Sequence, residues 1–312
     1  MKKISLVIPL YNEEDNVNVI YHQLTNQFSQ LSNYVFEIIF VDDGSKDQSL
    51  FNLNAIAHLD KKVKIISLSR NFGNQIALSA GLRASTGDAV ITMDCDLQHP
   101  VTLVPILIKQ WEKNFHISMA TRINKKENIS SKVFFYILHK ITNLGIDNNV
   151  SDYRILDRKV VDTINTFTEH TRFVRAMLDW TGFSKSYVPF FVERRNSGHS
   201  HFSYSKLFNL GLGALTSFSL FPLKVAFLLG NLIFWLSSIL LLFMISYRFI
   251  DPLMFTPAAY FIVLNAVLSG LVLICLGIVA HYVGNIHTES LNRPLYIIKD
   301  KVNFEEKDQF RD

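Results

Sequence analysis

Three observations predict a doubly wound α/β domain followed by a two-helix membrane hairpin. Within residues 1–120, short Val- and Ile-rich runs alternate with helix-length stretches, the pattern of a parallel sheet covered on both faces. Most of these runs end in a cluster of polar and acidic residues. Two uncharged blocks, 225–247 and 258–280, are each long enough as helices to cross a hydrocarbon core of about 30 Å.

The expected strands are ISLVIPL (4–10), FEIIFV (36–41), VKIISL (63–68), DAVITM (88–93) and HISMA (116–120). Helix-length segments at 13–31, 46–59, 73–84 and 101–113 separate them. Each strand is a nearly continuous apolar run, as burial on both faces requires, and in such sheets ligands bind beyond the carboxyl ends of the strands. The first strand runs into Pro9, Tyr11, Asn12 and Glu13, the second into VDDGSKD, the third into SRNFGN and the fourth into DCDLQHP. Carboxylates therefore converge on one sheet edge, where a nucleotide and a metal would be held. Neither GxGxxG nor GxxxxGK occurs, which leaves a dinucleotide fingerprint and a P-loop unsupported.

Residues 121–200 are less regular, and 1–202 together form the expected catalytic domain. An amphipathic helix lying at the membrane surface is expected over 203–222, then spans at 223–247 and 258–283 and a tail at 284–312. Of the 312 residues 49% are hydrophobic, yet the first two hundred have ordinary charge density, so the apolar excess is concentrated in the last third. The linker RFIDPLMFTP has one basic residue, Arg248. Arg194, Arg195, Lys206 and Lys224 precede the hairpin, and Arg293, Lys299, Lys301, Lys307 and Arg311 follow it, so the positive-inside rule predicts that both flanks are cytoplasmic. The start MKKISLVIPLYNEE has too short an apolar run for a signal peptide. Cys95 and Cys275 lie in different regions and imply no disulfide framework. A net charge of +4 without a basic cluster interleaved with aromatics suits an anionic membrane surface and excludes nucleic acid as the expected partner.

If 88–94 is a strand, its period of two puts Asp94 and Asp96 on one side and Cys95 on the other. Two carboxylates aimed at one point repel unless something positive lies between them. With Gln98 they make an all-oxygen donor set that suits Mg²⁺ or Mn²⁺ rather than zinc, and such an ion would bridge a nucleotide diphosphate. Asp42 and Asp43 precede a glycine, so one has a structural role in the turn, and either can accept a hydrogen bond from a base or ribose. Tyr11 and Glu13 are candidates for related work, although Glu13 also suits the start of a helix. His199 and His201 lack a third ligand and read as a loop.

PLYNEE, VDDGSKD, LSRNFGNQIALSAGL and GDAVITMDCDLQHP, in that order, resemble the family 2 inverting glycosyltransferases of the GT-A fold. The likeness extends through SDYRILDRKVVD, RFVRAMLDWTGF and RRNSGHSHFSYSKL to the apolar blocks and GNIHTESLNRPLYII. That set is similar to polyprenyl-phosphate glycosyltransferases, related to dolichol-phosphate mannose synthases and bactoprenol glucosyltransferases. The resemblance implies a GT-A type Rossmann-like domain with Pro9, Tyr11, Glu13, Asp43, Arg70 and Asp94 lining the nucleotide-sugar pocket. By the same resemblance Asp94, Asp96 and Gln98 would hold the metal and diphosphate, and Asp96, Asp152 and Arg122 would carry the reaction. Arg122, Ser131, Arg154, Arg195 and His201 would bind the acceptor phosphate, His201 standing where the family usually has lysine.

The implied activity is transfer of one sugar, with UDP-glucose the first expectation, to undecaprenyl phosphate at the cytoplasmic membrane face, for modification of a cell-envelope glycan. The acceptor phosphate is largely ionised near pH 7 and needs little help from a base, with Asp152 and Asp157 the candidates should one act. A tetramer is implied by resemblance alone. Two rivals stay open: a processive polysaccharide synthase, against which stand the missing QxxRW motif and the two spans, and a noncatalytic nucleotide-sugar-binding scaffold, against which stand the retained acids.

Overall fold

The computed structural model describes residues 1–123, 150–169, 172–191 and 257–304. The chain divides into two compact units, Met1–Tyr204 with Pro294–Asp312, and Ser205–Arg293. Among the described residues the first is built on an eight-stranded sheet whose strands lie in the order Lys185–Phe190 (β7), Ile117–Arg122 (β5), Val150–Asp157 (β6), Ala89–Thr92 (β4), Lys2–Leu10 (β1), Tyr34–Asp42 (β2), Val63–Leu68 (β3) and Ile298–Val302 (β8).

Strands β1 (Lys2–Leu10), β2 (Tyr34–Asp42), β3 (Val63–Leu68) and β4 (Ala89–Thr92) are parallel. They alternate with helices α1 (Glu14–Ser29), α2 (Ser49–Leu59) and α3 (Asn74–Ala84), as the sequence predicts. Ile4, Leu6 and Ile8 of β1 and Ile38 and Phe40 of β2 pack with Val17, Ile20 and Leu24 of α1 and Leu53 of α2. At each such position an entire apolar side chain leaves water, worth about 1.5–3 kcal/mol before the cost of ordering the chain. On α3, a Cβ at Gly81 would stand 2.2 Å from Val7 Cγ1 and 3.0 Å from Val41 Cγ2, so glycine there lets the helix lie close to the sheet.

A 3-10 turn at Val101–Leu103 leads into α4 (Val104–Glu112) and then β5 (Ile117–Arg122). The less regular stretch contains β6 (Val150–Asp157), α5 (Arg158–Asn165), α6 (Val174–Trp180) and β7 (Lys185–Phe190). Strand β6 inserts antiparallel between β4 and β5. Its partners are distant in sequence, which is why no local period announces it.

Residues 284–312, expected as a tail, contribute β8 (Ile298–Val302), antiparallel to β3. Asn303 locks the end of this strand, its Nδ2 donating to the carbonyls of Ala57 (2.7 Å) and Val63 (2.8 Å). In the second unit the backbone is described for α7 (Pro257–Ser290), which contains the second apolar block. Only part of its side chains are among the described residues. Among the described residues no helix is long and apolar enough to cross a membrane. The expected interfacial helix at 203–222 and first span at 223–247 lie outside them.

At the edge of the sheet where β1 begins, Glu37 ties the parallel strands together. Its Oε1 accepts from Ser5 Oγ (2.5 Å) and from the backbone N–H and hydroxyl of Thr86 (both 2.9 Å). Its Oε2 pairs with Lys3 Nζ (2.9 Å) and Lys64 Nζ (3.2 Å). Burial alone would raise the carboxyl, but the bonds from Ser5, Lys3 and Thr86 and the charge of Lys64 outweigh it and bring the pKa down from 4.5 to about 2. A depressed folded-state value means this stabilisation is complete above pH 4.5 and lost as pH falls from 4.5 toward 2. Denaturant unfolding of Glu37→Gln at pH 7 should therefore show a loss of about 2–3 kcal/mol. The gap to wild type should close on acidification through that window, and a pH-independent gap would assign the loss to packing.

Candidate active site

The chain runs from β1 through β2 to β3 in one direction across the sheet and from β4 in the other, so β1 and β4 flank the point where the strand order reverses. A crevice opens there beyond the carboxyl ends of the strands. The ends of β1, β2, β3 and β4 bring Pro9–Glu13, Asp42 and Asp43, Arg70, and Asp94–Gln98 to that edge. Strand β5 is parallel to β4 and delivers Arg122 from its last position. Strand β6 runs the other way, so its beginning reaches the same edge and brings Asp152 and Arg154.

Strand β4 stops at Thr92, yet the two-residue alternation persists through the turn. Asp94, Asp96 and Gln98 are half-buried on the open side, and Cys95, Leu97 and His99 are buried. The turn is bent by Leu97, whose φ of 59° costs a residue with a side chain about 1–2 kcal/mol. Burial of the leucine side chain in the core offsets that strain, and Gln98 N–H bonds Asp96 Oδ1 at 3.2 Å.

The ligand atoms of Asp94, Asp96 and His99 lie within 4.8 Å of one another. His99 is nevertheless a brace for the turn. Its Nδ1 accepts the Asp94 backbone N–H at 3.2 Å, its Nε2 lies 2.6 Å from Ser151 Oγ, and its ring stacks on Tyr153 with centroids 5.1 Å apart. Burial, together with the nearby Arg122 and Arg154, lowers its pKa to about 4 against the pull of Asp96 and Asp152, so the ring is neutral. The Nδ1 lone pair is thus engaged, and Nε2–H donates to Ser151. What remains for a cation are the carboxylates, with Gln98 beside them, an all-oxygen set that fits Mg²⁺ or Mn²⁺. His99 went unassigned in the sequence, although its parity with Cys95 and Leu97 already placed it inward.

The charges in the crevice are arranged in opposition. Burial first, then the charges of Asp152 and Asp96, raise Asp94 to about 7, against a hydrogen bond from the Asn74 side chain and the charge of Arg122. Burial would also raise Asp152, but Arg175 and Arg154 hold it well below the usual carboxylate range. Arg154 Nη2 and Arg175 Nη2 both donate to Asp152 Oδ1, the latter at 3.2 Å. Arg154 is fully buried, and its Nη1, with Nε of Arg122 and of Arg175, is buried without a hydrogen-bond partner among the described residues. The Arg122 guanidinium, part-buried at the end of β5, is suited to the oxygens of a phosphate. Arg175, within RFVRAMLDWTGF, carries no local signal in the sequence that marks it as a site residue.

Along the nucleotide edge, Asp43 is buried, and its two oxygens accept the backbone N–H groups of Phe72 (2.7 Å) and Gly73 (2.8 Å), each oxygen keeping a second lone pair. This fixes the loop that carries Arg70, whose guanidinium lies 4.4 Å over the Phe72 ring. Gly44, at φ 71°, lets the two loops meet, since a Cβ there would lie 2.6 Å from the Arg70 carbonyl carbon. Asp42 takes the turn role, accepting from Ser45 N–H at 3.1 Å. Pro9 is buried and Tyr11 half-buried at the end of β1. Glu13 precedes α1 and accepts from Asn16 Nδ2 at 2.6 Å. Asp157 accepts from Trp111 Nε1 (2.7 Å) and caps α5 through Lys159 N–H (3.0 Å), which commits it to packing. Ser131, Arg195 and His201 lie outside the described residues.

A carboxyl with a pKa near 7 must lose its proton before it can ligate a cation. Manganese titration of the full-length protein should therefore show affinity falling about tenfold per pH unit below pH 7 and levelling above it. Asp94→Asn should weaken binding and flatten that profile, and an unchanged profile would show that Asp94 does not ligate the ion.

Residues 5–183 match the family described as Glycosyl transferase family 2. An uncharacterised glycosyltransferase of Synechocystis sp. is 37% identical over 303 residues, covering 96% of this chain and 95% of that one. A protein of Shigella phage SfV named bactoprenol glucosyl transferase is 38% identical over 308 residues, covering 96% of this chain and 99% of its own. Among solved structures, a mycobacterial protein aligns with a TM-score of 0.50 at 19% identity, over 70% of this chain and 75% of that one, a likeness of fold alone. With the GT-A-like mixed sheet, the acids beyond β4 and the extent of these matches together, the chain belongs to glycosyl transferase family 2.

Proposed function

We propose that the protein transfers a single glucose from UDP-glucose to a polyprenyl phosphate, undecaprenyl phosphate in a bacterial membrane, at the cytoplasmic face. The observation that carries this reading is the near end-to-end match to a bactoprenol glucosyl transferase. The crevice supports it chemically, with the carboxylates of Asp94 and Asp96 at the end of β4 and Arg122 at the end of β5.

Asp94 and Asp96, with Gln98, would hold Mg²⁺ or Mn²⁺, which supplies charge neutralisation for the departing diphosphate. A phosphate oxygen of the acceptor attacks the anomeric carbon as the bond from that carbon to the diphosphate breaks, so configuration inverts. Arg122, part-buried at the end of β5, orients the attacking phosphate, and Arg154, enclosed between β4 and β5, acts through Asp152. Asp152 stays ionised between Arg154 and Arg175, which makes it a poor proton acceptor and a good acceptor of a sugar hydroxyl's hydrogen bond. The nucleophile is already largely ionised and requires no base.

The two uncharged blocks support a membrane hairpin that brings the catalytic unit to the level of the lipid phosphate. Phe261, Val272, Leu276, Val279, Val283 and Ile286 of α7 are exposed, a surface that suits lipid better than water. The basic residues flanking the hairpin favour a cytoplasmic catalytic unit.

Purified protein given radiolabelled UDP-glucose, Mn²⁺ and undecaprenyl phosphate should form labelled lipid, and Asp96→Asn should lower the rate by at least about a hundredfold. Labelling from another donor alone would reassign the sugar. Equal labelling by the variant would remove the carboxylates from the reaction, and absence of lipid product with any nucleotide sugar would remove the acceptor.

A further inference from the structure

We propose that Arg175 is a positioning residue which, with Gln75, fixes the carboxylate of Asp152 for the transfer step; the inference rests on the glycosyl-transfer reading above. Asp152 Oδ1 accepts from two guanidinium groups that reach it from different supports. Arg154 comes from β6 itself and is enclosed between β4 and β5. Arg175 comes from α6, whose own placement is fixed by three further contacts.

First, Phe173 and Val174 are buried. Second, Arg172 donates to the carbonyls of Ile164 (3.4 Å) and Phe167 (2.6 Å), tying the approach to α6 to the end of α5. Third, the Val174 backbone N–H, at the first residue of α6, donates to Gln75 Oε1 at 3.1 Å. Gln75 follows Asn74, whose side chain bonds Asp94. Two adjacent residues in the first turn of α3 therefore reach both sides of the crevice, Asn74 to Asp94 and Gln75 to the helix that carries Arg175.

A carboxylate turns easily about its terminal torsion, so one hydrogen bond leaves its orientation loose. Two donors converging on Oδ1 from different elements select one orientation. Among the described residues Oδ2 accepts no hydrogen bond and is left for a substrate group. Arg175 need not touch the substrate for this, and its loss would act through Asp152.

The test is steady-state transfer by the full-length protein in detergent, with UDP-glucose and undecaprenyl phosphate. Arg175→Met should lower kcat about a hundredfold while KM for the donor changes less than about threefold, as expected when geometry at the reacting atoms loosens. Arg175→Lys should recover about tenfold of that loss. Gln75→Ala should lower kcat about tenfold, and the double variant should be no slower than Arg175→Met, because both act on one element. A rise in KM with kcat intact, or multiplicative losses in the double variant, would overturn the proposal. If wild-type protein makes no labelled lipid, the glycosyl-transfer reading fails on its own account. Crystal structures then decide the positioning role: an Asp152 carboxylate turned from its wild-type orientation in Arg175→Met supports it, and an unmoved one overturns it.

Discussion

Carboxylates that repel one another meet at the crevice between β1 and β4, and the surrounding structure is arranged to keep them there. Burial raises Asp94 most, and the charges of Asp152 and Asp96 add to the effect. Without compensation such a group would neutralise itself by taking up a proton. The protein compensates unevenly. Asp152 receives two guanidinium donors on one oxygen, which hold it well below the usual carboxylate range, whereas Asp94 receives an amide and a more distant arginine and is raised to about 7. A divalent cation would complete what the protein leaves undone on that side. The asymmetry separates a place for a metal from a place for a fixed anion within one set of identical side chains.

Rigidity beneath the crevice follows from the same economy of means. His99 braces the Asp94 turn while staying neutral, and Leu97 accepts a left-handed backbone so that its neighbours can face outward. At the opposite end of the strands Glu37 joins Ser5, Thr86, Lys3 and Lys64, so register is held by charge at one edge and used at the other. A slip of β1 against β2 would break the first arrangement and disperse the second.

The parallel half of the fold was legible in the sequence because each strand there is bounded by its own helix and turn, and all of these signals are local. The sharing of one side by Asp94 and Asp96 was equally legible, since the two-residue period outlasts the strand itself. Strands β6, β7 and β8 were not. Their pairing partners are far away along the chain, and IKDKV carries no strong alternation to announce an edge strand. For the same reason Arg175 was invisible as a site residue: an arginine in RFVRAML reads as a solvated charge until α6 is docked beside β6. Asp43 shows the reverse case, where residue type suggested a ligand contact and the fold adds a second task, holding the Arg70 loop.

Strand β8 carries a consequence for the chain between the two parts of the catalytic unit. Residues on both sides of the 205–293 segment belong to one hydrogen-bonded sheet, joined through β3 and β8. A sheet cannot be divided by a bilayer, because its exposed ladder groups would have no partners in hydrocarbon. Any excursion that 205–293 makes into a membrane therefore begins and ends in the same compartment, and its number of crossings is even. The small edge strand would then act as a parity constraint: in a membrane-spanning chain an odd number of crossings would leave β3 without its neighbour, and topology would be read out as stability.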